Sequence, residues 1–246
     1  MMEKQHEHIV RSYEEELSLL NNNIAKMGGL AEQVLGQAID ALERRDPELA
    51  AATINEDEAI DALEREIEEQ AVTMIAKRQP MAYDLRQIMA SLRIANDLER
   101  IGDLGKNIAK RAVAVVAEQQ PKALMLGLKH MGELSLAQLK EVLDAFIERD
   151  ADRALKVWYK DEEIDAMYNS LFRELLTYMM EDPRNIGLCT HLLFGAKNIE
   201  RIGDHATNIA ETVYYLVHGA PITDQRPKGD TTSSTPVPLK RVGGID

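Results

Sequence analysis

Apolar residues return every three or four positions along most of this chain, the spacing that lays them on one side of an α-helix. Ile94, Leu98, Ile101, Gly105, Ile108 and Ala112 form one such stripe, and Ile199, Ile202, Ala206, Ile209 and Val213 form another. Proline and Asp-Pro steps interrupt the pattern at Asp46-Pro47, Pro80, Pro121 and Asp182-Pro183, where a helix must stop or start afresh. Six long helices are therefore predicted, over 7–45, 47–78, 81–118, 121–149, 151–181 and 184–217. After "YYLVHGAP" the periodicity ends, and a Pro-, Gly-, Ser- and Thr-rich remainder has little to bury. Residues 219–246 are predicted to be a flexible tail.

The six helices are one unit written twice. "LERIGDLGKNIA" at 98–109 returns as "IERIGDHATNIA" at 199–210, an offset of 101, and "RDPELAAATINEDEAIDALE" from Arg45 aligns with "RDADRALKVWYKDEEIDAMY" from Arg149 at an offset of 104. A net loss of three residues between the blocks reconciles the two offsets, as loop trimming after a duplication would. Short connections between long helices make neighbours antiparallel. The expected fold is thus all-α, two tandem three-helix bundles over 1–119 and 120–218.

Within the repeated phrase, Glu99, Asp103 and Asn107 are spaced i, i+4, i+8 and fall on a stripe opposite the apolar one, predicted to face outward. Glu200, Asp204 and Asn208 repeat it. A solvated polar face is the plain explanation, but three features weigh against it. Glu99 and Glu200 have Asp four residues later, so each helix accepts like-charge repulsion that a bound cation would reverse. Gly102 and Gly203 sit inside a helix at a cost of about 1 kcal/mol each, which close approach of a neighbour or ligand would explain. Finally, the second helix of each unit carries its own pair, Asp57 with Asp61 and Asp161 with Asp165, on the flank of its core stripe and able to meet the acidic stripe of the third helix. Four carboxylates and an amide per unit are a hard oxygen-donor set that suits Mg, Mn, Ca or Fe, and zinc accepts it too.

Composition narrows the function. The formal net charge is -13, and the tail beyond residue 219 adds Arg226, Lys228, Lys240 and Arg241 against Asp224, Asp230 and Asp246, so the helical part is more acidic still. Such a surface repels phosphate backbones, which argues against nucleic acid as a partner and for cations. One cysteine, Cys189, excludes an internal disulfide and Cys-rich zinc motifs and reads as a small buried residue. "MMEKQHEHIV" lacks the apolar stretch of a signal peptide, and no run is long enough to span a bilayer, so a cytoplasmic location is expected. Glu3 and His6 make the lone E-x-x-H, in the unpatterned N-terminus, and phosphate-binding glycine loops and nucleophile motifs are missing. His205 has Leu104 as its counterpart, so it is at most an auxiliary ligand. An enzyme is therefore not expected, the alternative being a metalloenzyme or metal-storage bundle built on the carboxylates.

"LERIGD", "IERIGDHATNIAE" and "RQPMAYDLR" at 78–86 together resemble the PhoU phosphate-signalling regulators over about residues 5–218. The resemblance implies paired three-helix bundles that hold metal ions (Fe, Mn, Mg or Zn) at Glu99, Asp103, Glu200 and Asp204, with Asp57, Asp61, Asp161 and Asp165 as helix-two counterparts. It further implies a negative regulator of the phosphate-starvation response that links the ATPase subunit of the phosphate ABC transporter to a sensor histidine kinase, touches membranes only through these partners, and forms a homodimer. Asp84 and Arg86, whose charge pair is missing from the second copy around "NIGLCT", are candidates for partner binding. Arg86 so near a helix start gains nothing from that helix's dipole.

Overall fold

A computed structural model describes residues 2–118, 121–224 and 226, with side chains from residue 12 onward. The elements are α1 (Met2–Arg44), α2 (Pro47–Arg78), α3 (Tyr83–Ala114), α4 (Lys122–Glu148), α5 (Ala151–Glu181), a 3₁₀ turn (Pro183–Asn185) and α6 (Ile186–His218). The predicted helices are all present, with ends shifted by a few residues. Most of the expected tail lies outside the described residues.

The Arg-Asp steps work identically in both copies. Arg45 and Arg149 adopt left-handed backbone conformations (φ 55° and 58°), ending the first helix of each unit without glycine. The next residue donates its amide five positions back, Asp46 to Ala41 and Asp150 to Ala145, both at 3.0 Å. Its carboxylate then caps the following helix: Asp46 Oδ1 accepts from the Glu48 and Leu49 amides, and Asp150 Oδ1 from the Arg153 amide. Two residues thus complete one helix and begin the next.

Helices α1, α2 and α3 pack together, as do α4, α5 and α6, and across the halves α1 meets α4 and α3 meets α6. Among the described residues α2 and α5 touch helices of their own half alone, so they flank a central layer of α1, α3, α4 and α6. A single buried cluster runs through both halves, including Met27, Val34, Ile60, Ile101, Met131, Trp158, Cys189 and Ile209. Glycines permit the closest approaches. A Cβ on Gly28 would lie 2.8 Å from Leu143 of α4, and one on Gly105 would lie 2.8 Å from Val34 of α1.

Candidate functional site

Each acidic cluster is built where the outer helix of a half meets its third helix. Asp57 on α2 is 2 % exposed, and Glu99 and Asp103 on α3 rise beside it, their side chains 17 % and 40 % exposed. In the second half Asp161 and Asp165 on α5 and Glu200 on α6 are all buried, with Asp204 at the rim. The expectation of an outward-facing stripe is therefore corrected. Helix α3 has neighbours in α1, α2 and α6, so the face opposite its apolar stripe lies along α2: Glu99 is drawn into that contact while Asp103 keeps an open side to solvent.

The two interior glycines are explained by this contact. A Cβ on Gly102 would stand 2.8 Å from Ile60 Cδ1 and 3.2 Å from Asp57 Oδ1, and one on Gly203 would stand 3.1 Å from Ile164 Cδ1 and 3.4 Å from Asp161 Oδ1. Without a side chain at these two positions, the outer helix settles close enough to bring its carboxylate against the third helix.

Both clusters contain a cation that the acidic pattern did not reveal. In the first half Lys106 Nζ donates to Asp57 Oδ2 and, at 3.2 Å, to Asp103 Oδ1. The hydrogen bond to Asp57 holds the ammonium above its ordinary pKa against the opposing effect of burial. In the second half Arg226, beyond the last helix, donates from Nη2 to Asp161 Oδ2 at 2.8 Å and to Asp204 Oδ1 at 2.6 Å, with Nε also 3.2 Å from Asp161. Residues 219–224 and 226 thus lie against the protein, and Ile222 packs on its core.

Compensation is incomplete. Asp57 Oδ1 is buried and receives no hydrogen bond, and neither does Glu99 Oε2, although Arg100 Nε is 3.4 Å away. Burial pushes the Asp57 and Glu99 carboxyls above the usual carboxylate range, and Lys106 and Arg100 respectively pull them back in part. Asp161 is raised by burial too, against Arg226. Among the described residues, no three His, Cys, Asp or Glu side chains converge on one point as a ready chelate. The carboxylates are strung along paired helices.

The remaining candidates separate. Asp61 and Asn107 are half-buried along the first groove. Asn208 turns away from its cluster: its Nδ2 donates to Asp97 Oδ1 of α3 at 3.3 Å, and His205 Nδ1 is 2.9 Å from the same oxygen. These bonds tie α6 to α3 across the two halves. Asp84 lies in the first turn of α3 and makes no side-chain cap. Arg86 reaches the C-terminal end of α6, where its guanidinium fills the space a side chain on Gly219 (φ 73°) would need. A cation there faces the negative end of a helix, so Arg86 does benefit from a dipole, that of α6.

Sequence reasoning missed Lys106, Arg226 and Asp97. Lys106 was visible three residues after Asp103; Arg226 sits in a segment without periodicity, and nothing marked Asp97.

Comparison with known proteins agrees with the duplicated architecture. Residues 24–112 and 128–213 each match the PhoU domain. The chain is 58 % identical over 229 residues to a phosphate-specific transport system accessory protein PhoU homolog of Rhizobium meliloti (strain 1021), covering 93 % of this chain and 97 % of that one. It is 52 % identical over 227 residues to the homolog of Caulobacter vibrioides (strain NA1000 / CB15N), covering 92 % and 99 %. The crystal structure of PhoU from Pseudomonas aeruginosa superposes with a TM-score of 0.82 at 40 % identity, over 85 % of this chain and all of that one. The phosphate transport system regulatory protein PhoU from Streptococcus pneumoniae does so with 0.79 at 32 % identity, over 85 % and 99 %. With two matched domains, this identity over nearly the whole chain and the same fold, the chain belongs to the PhoU family, one of regulatory accessory proteins of phosphate transport rather than of enzymes.

Proposed function

We propose that this chain is a cytoplasmic negative regulator of phosphate uptake and of the phosphate-starvation response, linking the ATPase subunit of the phosphate ABC transporter to a sensor histidine kinase. Its relatives' naming as accessory proteins of phosphate transport supports the role. No helix among the described residues is long and apolar enough to cross a membrane, and membrane contact is proposed to run through the partners alone. Asp84 stands beside the exposed apolar side chains of Met81, Tyr83, Leu85 and Met89, which makes the start of α3 the proposed docking surface, with Arg86 anchoring it to α6. Deleting the gene should switch on a phosphatase reporter in phosphate-replete cells. Met81→Glu with Asp84→Lys should reproduce the deletion while leaving the protein folded. A reporter that stays silent in the deletion strain would refute the regulatory role.

The clusters are proposed to hold divalent or trivalent metal ions (Fe, Mn, Mg or Zn), at Asp57, Asp61, Glu99, Asp103 and Asn107 and at Asp161, Asp165, Glu200 and Asp204, Asn208 being engaged with Asp97 instead. The observation that carries this is the buried Asp57 Oδ1 with no hydrogen-bond donor, since an uncompensated buried carboxylate oxygen costs free energy that a cation would recover. A bound ion would supply charge neutralisation between the outer and third helices. Glu99→Gln with Asp103→Asn should lower metal content by about half, because the second cluster keeps its own donors. Unchanged metal content after chelation and reloading would show that the first site is wrongly placed. A homodimer is proposed as the working form, and sedimentation showing monomer alone at micromolar concentration would exclude it.

A further inference from the structure

We infer that Arg226 is a tethered competitor for the cation site of the second cluster, so that a divalent metal ion bound there displaces the segment that follows α6. The inference rests on the metal-binding reading above and concerns which cluster exchanges its cation.

The two clusters are neutralised at equivalent positions by cations of different origin. Asp57 and Asp103 correspond through the repeat to Asp161 and Asp204. Lys106 bridges the first pair, Arg226 the second. The position matching Lys106 is Thr207, whose hydroxyl donates to the Gly203 carbonyl at 3.0 Å and brings no charge. In the second copy Lys197 of α6 pairs with Glu200 at 2.8 Å, while the bridge across Asp161 and Asp204 comes from a residue beyond that helix.

This difference in origin sets how easily each cation leaves. Lys106 rides on α3 one turn after Asp103, and rotating away strands the buried Asp57 carboxylate while the ammonium stays close by. Arg226 hangs on a strap that begins at Gly219, the left-handed cap of α6. The strap is held by a short set of contacts: the Arg86 guanidinium beside Gly219, Ile222 packed against the core, Tyr159 Oη donating to Asp224 Oδ2 at 3.2 Å, and Arg226 itself, 17 % exposed. It can lift as a unit without unwinding a helix. Asp161 and Asp204 would then face one another across the α5–α6 groove without Arg226, beside Asp165 and the Glu200–Lys197 pair, until another cation arrives. Strap and metal ion compete for the same oxygens, and the apparent affinity for metal falls by the fraction of time the strap is lifted. The strap also forms one wall of an open pocket of about 750 Å³ between α3, α5 and α6, lined by Arg93, Asp97, Trp158 and Asn208, so its release removes that wall.

The test is titration of the full chain with Mn²⁺, reading free ion by electron paramagnetic resonance, together with hydrogen exchange over 219–224 at the five amides other than Pro221. If the strap is docked about nine-tenths of the time, Arg226→Gln tightens one Mn²⁺ site about tenfold. In the wild type, saturating Mn²⁺ accelerates exchange over 219–224; in Arg226→Gln that exchange is already fast and does not respond to the ion. Asp204→Asn weakens the same site in both backgrounds. Wild-type affinity in Arg226→Gln, with Asp204→Asn still weakening the site, would overturn the competitor while leaving metal binding intact. Absence of Mn²⁺ binding in wild type, Arg226→Gln and Lys106→Met alike would overturn the metal reading itself, and the competitor with it.

Discussion

Replacing Gly102 by alanine sets two opposed effects against each other. An alanine in a helix interior is favoured over glycine by about 1 kcal/mol. The added methyl group would stand 2.8 Å from Ile60 Cδ1 and 3.2 Å from Asp57 Oδ1. Ile60 is fully buried and Asp57 is bound to Lys106, so neither side chain can swing into solvent. Overpacking of this kind costs about 1–3 kcal/mol, and set against the propensity gain the net result for Gly102→Ala is a loss of about 0–2 kcal/mol. At Gly203 the nearest atoms stand at 3.1, 3.3 and 3.4 Å, which a shift of a few tenths of an ångström accommodates. Gly203→Ala should fall within about 0.5 kcal/mol of wild type. Gly29 is the control, having nothing within 4 Å of its would-be Cβ, and Gly29→Ala should stabilise the protein by most of the helix-propensity difference. With about 2–4 °C per kcal/mol for a chain of this size, thermal unfolding followed by circular dichroism should rank the variants Gly29→Ala, Gly203→Ala, Gly102→Ala from highest to lowest Tm. A Gly102→Ala protein as stable as Gly203→Ala would refute the claim that this glycine exists to let α2 approach.

Arg86→Ala should lower stability by about 0.3–1 kcal/mol, the worth of a cation at a helix C-terminus, and an unchanged Tm would remove the contact with α6 from the account. Trp158→Phe should cost about 1–3 kcal/mol, because the ring is 1 % exposed and its indole N–H donates to Glu211 Oε1 at 2.9 Å; chemical denaturation of the two proteins side by side measures it. Arg78 donates to both oxygens of Glu16, at 2.8 and 3.0 Å, and this hydrogen bonding holds the Glu16 carboxyl below its ordinary value of 4.5. A carboxyl with a depressed folded-state pKa contributes stability that is present above the unfolded value and lost as pH falls through the folded one. Glu16→Gln should therefore cost most at neutral pH and converge with wild type below that range; parallel stability curves down to acid pH would contradict the assignment.

Much of this could be read from residue order alone. The duplication, the six helices and the Arg-Asp joints all follow from patterns confined to one helix or one turn, where periodicity and capping decide the outcome. The two interior glycines also announced a close approach, and α2 and α5 supply it. The burial of the acidic stripe was not legible, since the period of a helix shows which residues share a face but not how many neighbours that face meets. Glu200 is inside because α5 lies across it. The resident cations were hidden for a related reason: Lys106 could have pointed to solvent as easily as to Asp57, and only the register between α2 and α3 selects its partner. Arg226 reaches Asp161 across 65 positions of chain, with no local pattern to betray the contact.

In the meeting of the two halves, α3 packs on its own repeat α6, and α1 on its own repeat α4. Like surface against like is the geometry of an isologous two-fold interface, the kind by which two identical subunits associate. The chain in this sense resembles a dimer whose subunits are joined end to end, with its central layer in the place of the subunit boundary. In a true homodimer every substitution appears twice and the symmetry cannot be broken. Once the copies share one chain, each can change alone, and Lys106 against Thr207 or Leu104 against His205 are differences that became possible only then. One half is thereby free to bridge its two aspartates from the third helix itself while the other takes that bridge from beyond its last helix, so that a structure of two equal parts can acquire two unequal responses.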